Sequence, residues 1–197
     1  MPVFDNLMSV NVSYEPEYCF IYYPKSRFPS QHANDENSQL IIQSKKGSNY
    51  AAEKLATKMD NYVMKHEYLL DDVTQIIPVP NYKSGKQHCK APLLAEKFAE
   101  KIRKRTGKNI HSYEDPLERV GNSRNKWDNK ETRMLSAERD YKINDYILKN
   151  NNFLKDRNVL LVDDIVTSGA TTTVCSRLLR NNGANNVSIF CAARTIG

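Results

Sequence analysis

Four short apolar runs punctuate the chain, and amphipathic stretches lie between them. Tyr18 to Tyr23 reads Tyr-Cys-Phe-Ile-Tyr-Tyr, a strand composition. Val73-Thr-Gln-Ile-Ile-Pro-Val-Pro80 is an apolar strand closed by a Pro-bracketed turn. Val159 to Val162 is a continuous apolar run of a length that suits a buried strand, and Asn186 to Ala193 is a last one. Between them, Ala52, Leu55, Ala56, Met59, Tyr62 and Val63 recur at three- and four-residue steps, which predicts a helix over Ser48 to Lys65 with Ser48 or Asn49 as its cap. Ala91, Leu94, Ala95, Phe98, Ala99 and Ile102 predict a second helix over Pro92 to Arg105, ended by Gly107. Val174, Leu178 and Leu179 predict a third, stopped by Asn182-Gly183.

Strands alternating with helices imply α/β units and a mostly parallel sheet flanked by helices. At 197 residues the expectation is a single domain, 1–197. Residues 1–39 are the least legible part, and Pro24 to Ser38, polar with two prolines, reads as a loop. This segment is expected to form a small variable N-terminal hood.

The run that begins at Val159 carries the chemistry. Two acids, Asp163 and Asp164, follow the strand, and then Thr167-Ser168-Gly169-Ala170-Thr171 leads into a helix. The first amides of a helix lack intrahelical partners and carry the positive end of its dipole, so this junction suits a phosphate. Gly169 lets backbone approach the anion, while Thr167, Ser168 and Thr171 offer hydroxyls. Adjacent carboxylates can hold sugar hydroxyls or the water shell of a Mg2+ ion. A diol beside a phosphate describes a ribose 5-phosphate. A strand–turn–helix capped by Asp and Thr, with no ligand, is the competing interpretation.

Asn81-Tyr82-Lys83-Ser84-Gly85-Lys86 follows the second strand, and a turn with a glycine and two lysines can hold pyrophosphate oxygens. Ordinary loop lysines are the alternative. From Lys83 to Arg139 there are 15 Lys and Arg against 8 Asp and Glu, so this segment holds the positive excess of a chain whose net charge is +6. Nucleic acid, a polyphosphate substrate and a solvated basic face all fit that excess. Lys108 to Asp140 has few apolar anchors and reads as one long polar segment, functional or disordered. Arg119, Arg124, Lys126, Lys130 and Arg133 punctuate it, with Trp127 among them.

The four cysteines, Cys19, Cys89, Cys175 and Cys191, have no metal-ligand spacing and read as reduced thiols. No segment approaches 18 consecutive apolar residues, and Met-Pro-Val-Phe-Asp-Asn-Leu lacks the marks of a signal peptide. The expectation is a cytoplasmic protein with no membrane span.

The stretch from Val159 to Thr171 resembles the PRPP-binding motif of type I phosphoribosyltransferases. Pro-Val-Pro80 with the basic turn after it, Arg119-Val-Gly-Asn-Ser123, and Leu135-Ser-Ala-Glu-Arg139 resemble the competence protein F (ComF) branch, without its Cys-rich zinc element. The resemblance covers roughly residues 40 to 197. It implies that Asp163 and Asp164 meet the ribose hydroxyls and, through them or water, Mg2+. It implies that Thr167, Ser168, Gly169, Ala170 and Thr171 wrap the 5-phosphate. Asn81, Tyr82, Lys83, Ser84 and Lys86 would bind pyrophosphate, and Arg119 and Lys126 would act from a mobile catalytic loop over Lys108 to Asp140. The implied activity is Mg2+-dependent transfer of phosphoribosyl from PRPP to a nitrogen acceptor. A non-catalytic PRPP or nucleotide sensor, or a DNA-handling partner in uptake or defence, is the alternative on the same fold. A homodimer is left open, as is nucleic acid as a partner.

Overall fold

The computed structural model describes residues 15–80, 91–113, 116–123, 129–149 and 152–196. Among these residues, five strands form one parallel sheet in the order β1-β7-β6-β2-β3. They are β1 (Glu17–Tyr22), β2 (Gln75–Pro78), β3 (His111–Ser112), β6 (Asn158–Val166) and β7 (Asn186–Thr195). A two-stranded antiparallel ribbon, β4 (Leu117–Arg119) with β5 (Tyr141–Ile143), stands apart from it. The expected α/β architecture with a mostly parallel sheet is present.

Both faces of the sheet are covered, as a parallel sheet requires. One core packs α2 (Glu36–Lys45), α3 (Asn49–Val63) and α4 (Ala91–Thr106) against Ile76, Leu160, Val162 and Phe190. The other packs α5 (Lys130–Asp140), α6 (Asp145–Lys149) and α7 (Ala170–Asn181) against Ile77, Val159, Leu161 and Ile189. Successive residues of β6 thus serve opposite cores, the two-residue period of a strand. This explains the unbroken apolar run at Val159 to Val162.

The structure departs from the sequence expectations in three places. First, Pro24 to Ser38 is not simply a loop. It holds α1 (Pro29–Asn34) and the start of α2, with Pro29 in the first turn of α1 and Asp35 capping α2 by accepting from the Ser38 amide at 2.7 Å. Of the expected hood, residues 17–22 form the edge strand β1, paired with β7 from Glu17↔Phe190 to Tyr22↔Thr195. Second, β6 does not stop at Val162. It runs to Val166 because β7 continues to offer a paired backbone as far as Arg194.

Third, Lys108 to Asp140 is not one long loop: it contains β3, β4 and α5. Its last residue, Asp140, is 1 % exposed and ties the end of α5 to residues 119–123. The Asp140 carboxylate accepts from the Ser123 amide at 2.9 Å and from the Ser123 hydroxyl at 2.5 Å. The Asp140 carbonyl accepts from the Val120 amide at 2.7 Å, and the Arg119 guanidinium stands 3.8 Å from the carboxylate. The Arg119…Ser123 pattern and the Ser136-Ala-Glu-Arg139 pattern therefore meet at one buried acid. A side chain at Gly121 would collide with the same carboxylate.

Removing the buried Asp140 carboxylate would break both Ser123 hydrogen bonds and take the acid from beside the Arg119 guanidinium, a cost of roughly 3 kcal/mol. Asp140→Ala is expected to lower the urea unfolding midpoint accordingly, and a loss below about 0.5 kcal/mol, the range of ordinary surface substitutions, would contradict the account.

Candidate active site

The chain connects β1 to β2 across the sheet, moves outward to β3, and later returns to β6 and then β7. Connections leaving β2 and β6 therefore diverge, and ligands of open α/β sheets bind at such a point, beyond the carboxyl ends of the strands. The register fixes what meets there. Pro78 pairs with Val162, and the Val79 amide donates to the Val162 carbonyl at 2.8 Å, so the chain leaving β2 emerges beside Asp163. The expected pyrophosphate turn, Asn81, Tyr82, Lys83, Ser84 and Lys86, lies outside the described residues, as does Lys126.

Beyond Val166, Thr167 and Ser168 turn the backbone and Gly169 becomes the N-cap of α7 with φ 77°. This left-handed conformation is inexpensive only for glycine. The Gly169 carbonyl accepts from the Thr173 amide at 2.9 Å and from the Thr172 hydroxyl at 2.9 Å. The Ala170 amide approaches the Ser168 hydroxyl at 3.5 Å, and the Thr167 hydroxyl lies 3.0 Å from that of Thr195 on β7. The apolar face of α7, with Val174, Cys175 and Leu179 fully buried, clamps the helix to the sheet, so its first turn is held rigidly over the strand ends.

A cleft of about 380 Å3 opens at this turn. Asp163, Ile165 and the whole run Val166 to Thr172 line it, together with Arg133 from α5. All five residues expected to wrap a phosphate are here. The two acids are not together. Asp163 lines the cleft, and its carboxylate also accepts from the Asp164 amide at 2.8 Å. Asp164 is instead paired with Lys45 at 3.1 Å, its side chain only 13 % exposed. Neighbours along a strand diverge, which is why the pair divides. Among the described residues Asp163 lines the cleft, and Asp164 lies next to it, paired with Lys45.

Lys45 was not singled out by the sequence, where it is one lysine in a run that carries no spacing signal. It sits in the last turn of α2, where the helix dipole favours a cation. Burial works against its charge, but Asp164 and Asp163 outweigh that and raise its pKa above the usual lysine value. Burial also raises the Tyr22 hydroxyl; Lys45 opposes this shift and Asp164 adds to it. Burial and the two acids push the Cys191 thiol well up, so it is an inert neighbour of the site.

Arg119 is not part of the cleft wall. Its guanidinium donates to the Gly121 carbonyl at 3.1 Å and to Asn122 at 2.8 Å, and it stacks over Tyr141 at 5.4 Å. These contacts anchor the β4–β5 ribbon. The cation that does line the cleft is Arg133, which the sequence presents as one basic residue among several. The helical spacing Arg133, Ser136, Ala137, Asp140 is the signal that could have found it, since it places Arg133 on the buried face of α5.

The sheet, the switch point and the glycine-turned loop make a mostly parallel α/β fold flanked by helices, similar to that of type I phosphoribosyltransferases. Residues 118–196 match the model of the phosphoribosyl transferase domain. A 43-residue stretch is 40 % identical to the DNA utilization protein YhgH of Shigella flexneri, and equally to those of Escherichia coli O157:H7 and strain K12. That stretch is 22 % of this chain and only 19 % of each relative, so the match spans about a fifth of the curated proteins. It is in keeping with the ComF-like resemblance. Among the described residues no helix is long and apolar enough to cross a membrane.

Gly169→Ala is expected to destabilise by about 1–2 kcal/mol, the cost of a left-handed L-residue. Chemical denaturation measures this, and no loss would contradict the constraint. Because the Lys45 pKa is raised on folding, its pair with Asp164 contributes stability that is fully present below the unfolded lysine value near pH 10.4. That contribution is lost as pH rises through the higher folded value. Lys45→Met should remove this alkaline component from a stability-versus-pH curve, leaving the neutral-to-alkaline slope shallower than in the parent; an unchanged slope would contradict the pairing.

Proposed function

We propose that this protein binds PRPP, or a ribose 5-phosphate nucleotide, and transfers the phosphoribosyl group to a nitrogen acceptor. The observation that carries this reading is the cleft in which Asp163 stands beside the Gly169 turn and the first turn of α7. The 5-phosphate would sit at the loop, receiving hydrogen bonds from helix-start amides and hydroxyls. Asp163 would accept from a ribose hydroxyl. In the reaction the bond from ribose C1 to pyrophosphate breaks, pyrophosphate leaves with the electron pair, and the nitrogen lone pair forms the new bond to C1. Positive charge grows on the ribose as this happens, and a fixed carboxylate nearby stabilises it. The turn at Asn81–Lys86 is proposed to receive the pyrophosphate, which the Val79–Val162 register supports by bringing the chain leaving β2 to the cleft edge.

A Mg2+ ion fits this donor set only as a partner carried by the substrate. Among the described residues no group of three or more His, Cys, Asp or Glu could hold a metal. One cleft carboxylate, Asp163, with substrate oxygens and water is the environment Mg2+ accepts. Bound there, it would supply charge neutralisation to the diphosphate.

A second reading, a DNA-handling partner without transferase activity, is favoured by the name of the YhgH relatives and by the basic middle segment. The two separate by experiment. Incubation with PRPP, Mg2+ and a panel of nitrogen bases is expected to release pyrophosphate. Asp163→Asn should lower PRPP affinity tenfold or more, in line with loss of a charged hydrogen bond, with little change in the unfolding midpoint. PRPP binding untouched by that substitution would sink the reading. Salt-sensitive DNA binding that survives it would point to the second.

A further inference from the structure

The loop from Thr167 to Thr171 has hydroxyls and amides but no formal positive charge. A phosphate monoester is a dianion at neutral pH. The helix dipole supplies about half a unit of positive charge, so the loop alone leaves most of that charge uncompensated, and Asp163 makes the balance worse. Among the described residues, Arg133 is the cation that lines the cleft.

Three observations place Arg133 there for a ligand. It lies one turn before Ser136 and Ala137, which are 1 % and 0 % exposed, on the face of α5 that packs toward α7. An apolar residue would be the ordinary occupant of such a position. On the same helix, Glu138 holds Arg177 at 2.6 Å and so ties α5 to α7. Arg133, partly buried, makes no ion pair among the described residues. A partly buried guanidinium at the wall of a cleft is well placed to pair with an anion that enters it. The first turn of α5 is held in place meanwhile, since the Asn129 side chain caps it by accepting from the Thr132 amide at 2.8 Å.

We infer that Arg133 is the charge-compensating residue of the phosphate loop, binding the 5-phosphate of the ribose ligand in its dianionic form. The inference rests on the proposed reading of the loop as the 5-phosphate site. A guanidinium offers paired donors to two phosphate oxygens, which lysine cannot reproduce. Arg133 thereby sets selectivity for a phosphorylated ribose over a bare nucleoside, and it acts on the phosphate end of the ligand and not on the pyrophosphate end.

The test titrates ribose 5-phosphate and, separately, inorganic pyrophosphate into the parent chain and into Arg133→Gln and Arg133→Lys, by calorimetry from pH 5 to 8. The parent is expected to bind ribose 5-phosphate more tightly as pH rises through about 6, where the second phosphate proton is lost. Arg133→Gln should weaken ribose 5-phosphate roughly ten- to hundred-fold, flatten that pH dependence, and leave pyrophosphate affinity unchanged. Arg133→Lys should recover part of the affinity. A structural role would not produce this pattern, and each variant's unfolding midpoint without ligand, expected to be unchanged, checks the fold. Equal ribose 5-phosphate affinity in parent and Arg133→Gln would overturn the inference while sparing the proposed function. Equal weakening of both ligands would overturn it by assigning the cation to the whole cleft or to pyrophosphate. A parent chain that binds no ribose 5-phosphate at all would overturn both.

Discussion

The junction of β6, Gly169 and α7 constrains everything around it. β6 is paired on both edges as far as Val162, and β7 alone holds its end on to Val166. α7 is fixed by its own apolar face. The chain must therefore pass from strand to helix in three residues, Thr167, Ser168 and Gly169, and only a left-handed glycine completes that turn. The helix N-terminus is in consequence presented at the switch point of the sheet, where the strand before the basic turn also ends. Rigidity matters for the proposed phosphate site, because amide donors act by preorganisation.

The second consequence of a long β6 is electrostatic. Continuing it to Val166 sends the acids to different partners. Asp163 remains at the cleft, and Asp164 becomes the anchor of α2 through Lys45. The ion pair ties the N-terminal half of the chain to the motif strand. Among the described residues the cleft wall carries one acid, Asp163, and one base, Arg133.

Much of this was readable from residue order. The two-sided apolar run at Val159 to Val162 announced a buried parallel strand. The three long helices α3, α4 and α7 followed their apolar spacing, and the Thr-Ser-Gly-Ala-Thr loop fell where its composition said. The extension of β6 was hidden because a strand edge is decided by its neighbour: Asp and Thr read as a loop until β7 supplies a paired backbone. α1 and α2 were hidden behind prolines and polar residues whose capping chemistry, Pro29 and Asp35, is a helix signal only when an apolar face is recognised behind it. Lys45 and Arg133 were hidden for a different reason. Each is one basic residue in a basic neighbourhood, and only the packing of α2 and α5 tells which lysine and which arginine face the site.

The central claim is that the Gly169 turn and the first turn of α7 bind the phosphate of a ribose ligand. The most direct test is an amide-resolved nuclear magnetic resonance titration with ribose 5-phosphate. The account predicts saturable shifts centred on the amides of residues 168–172, with Asp163 perturbed and the core amides of α3 and α4 unmoved. Shifts that do not saturate, or that fall on the basic surface of α4 and leave the Gly169 turn untouched, would contradict it.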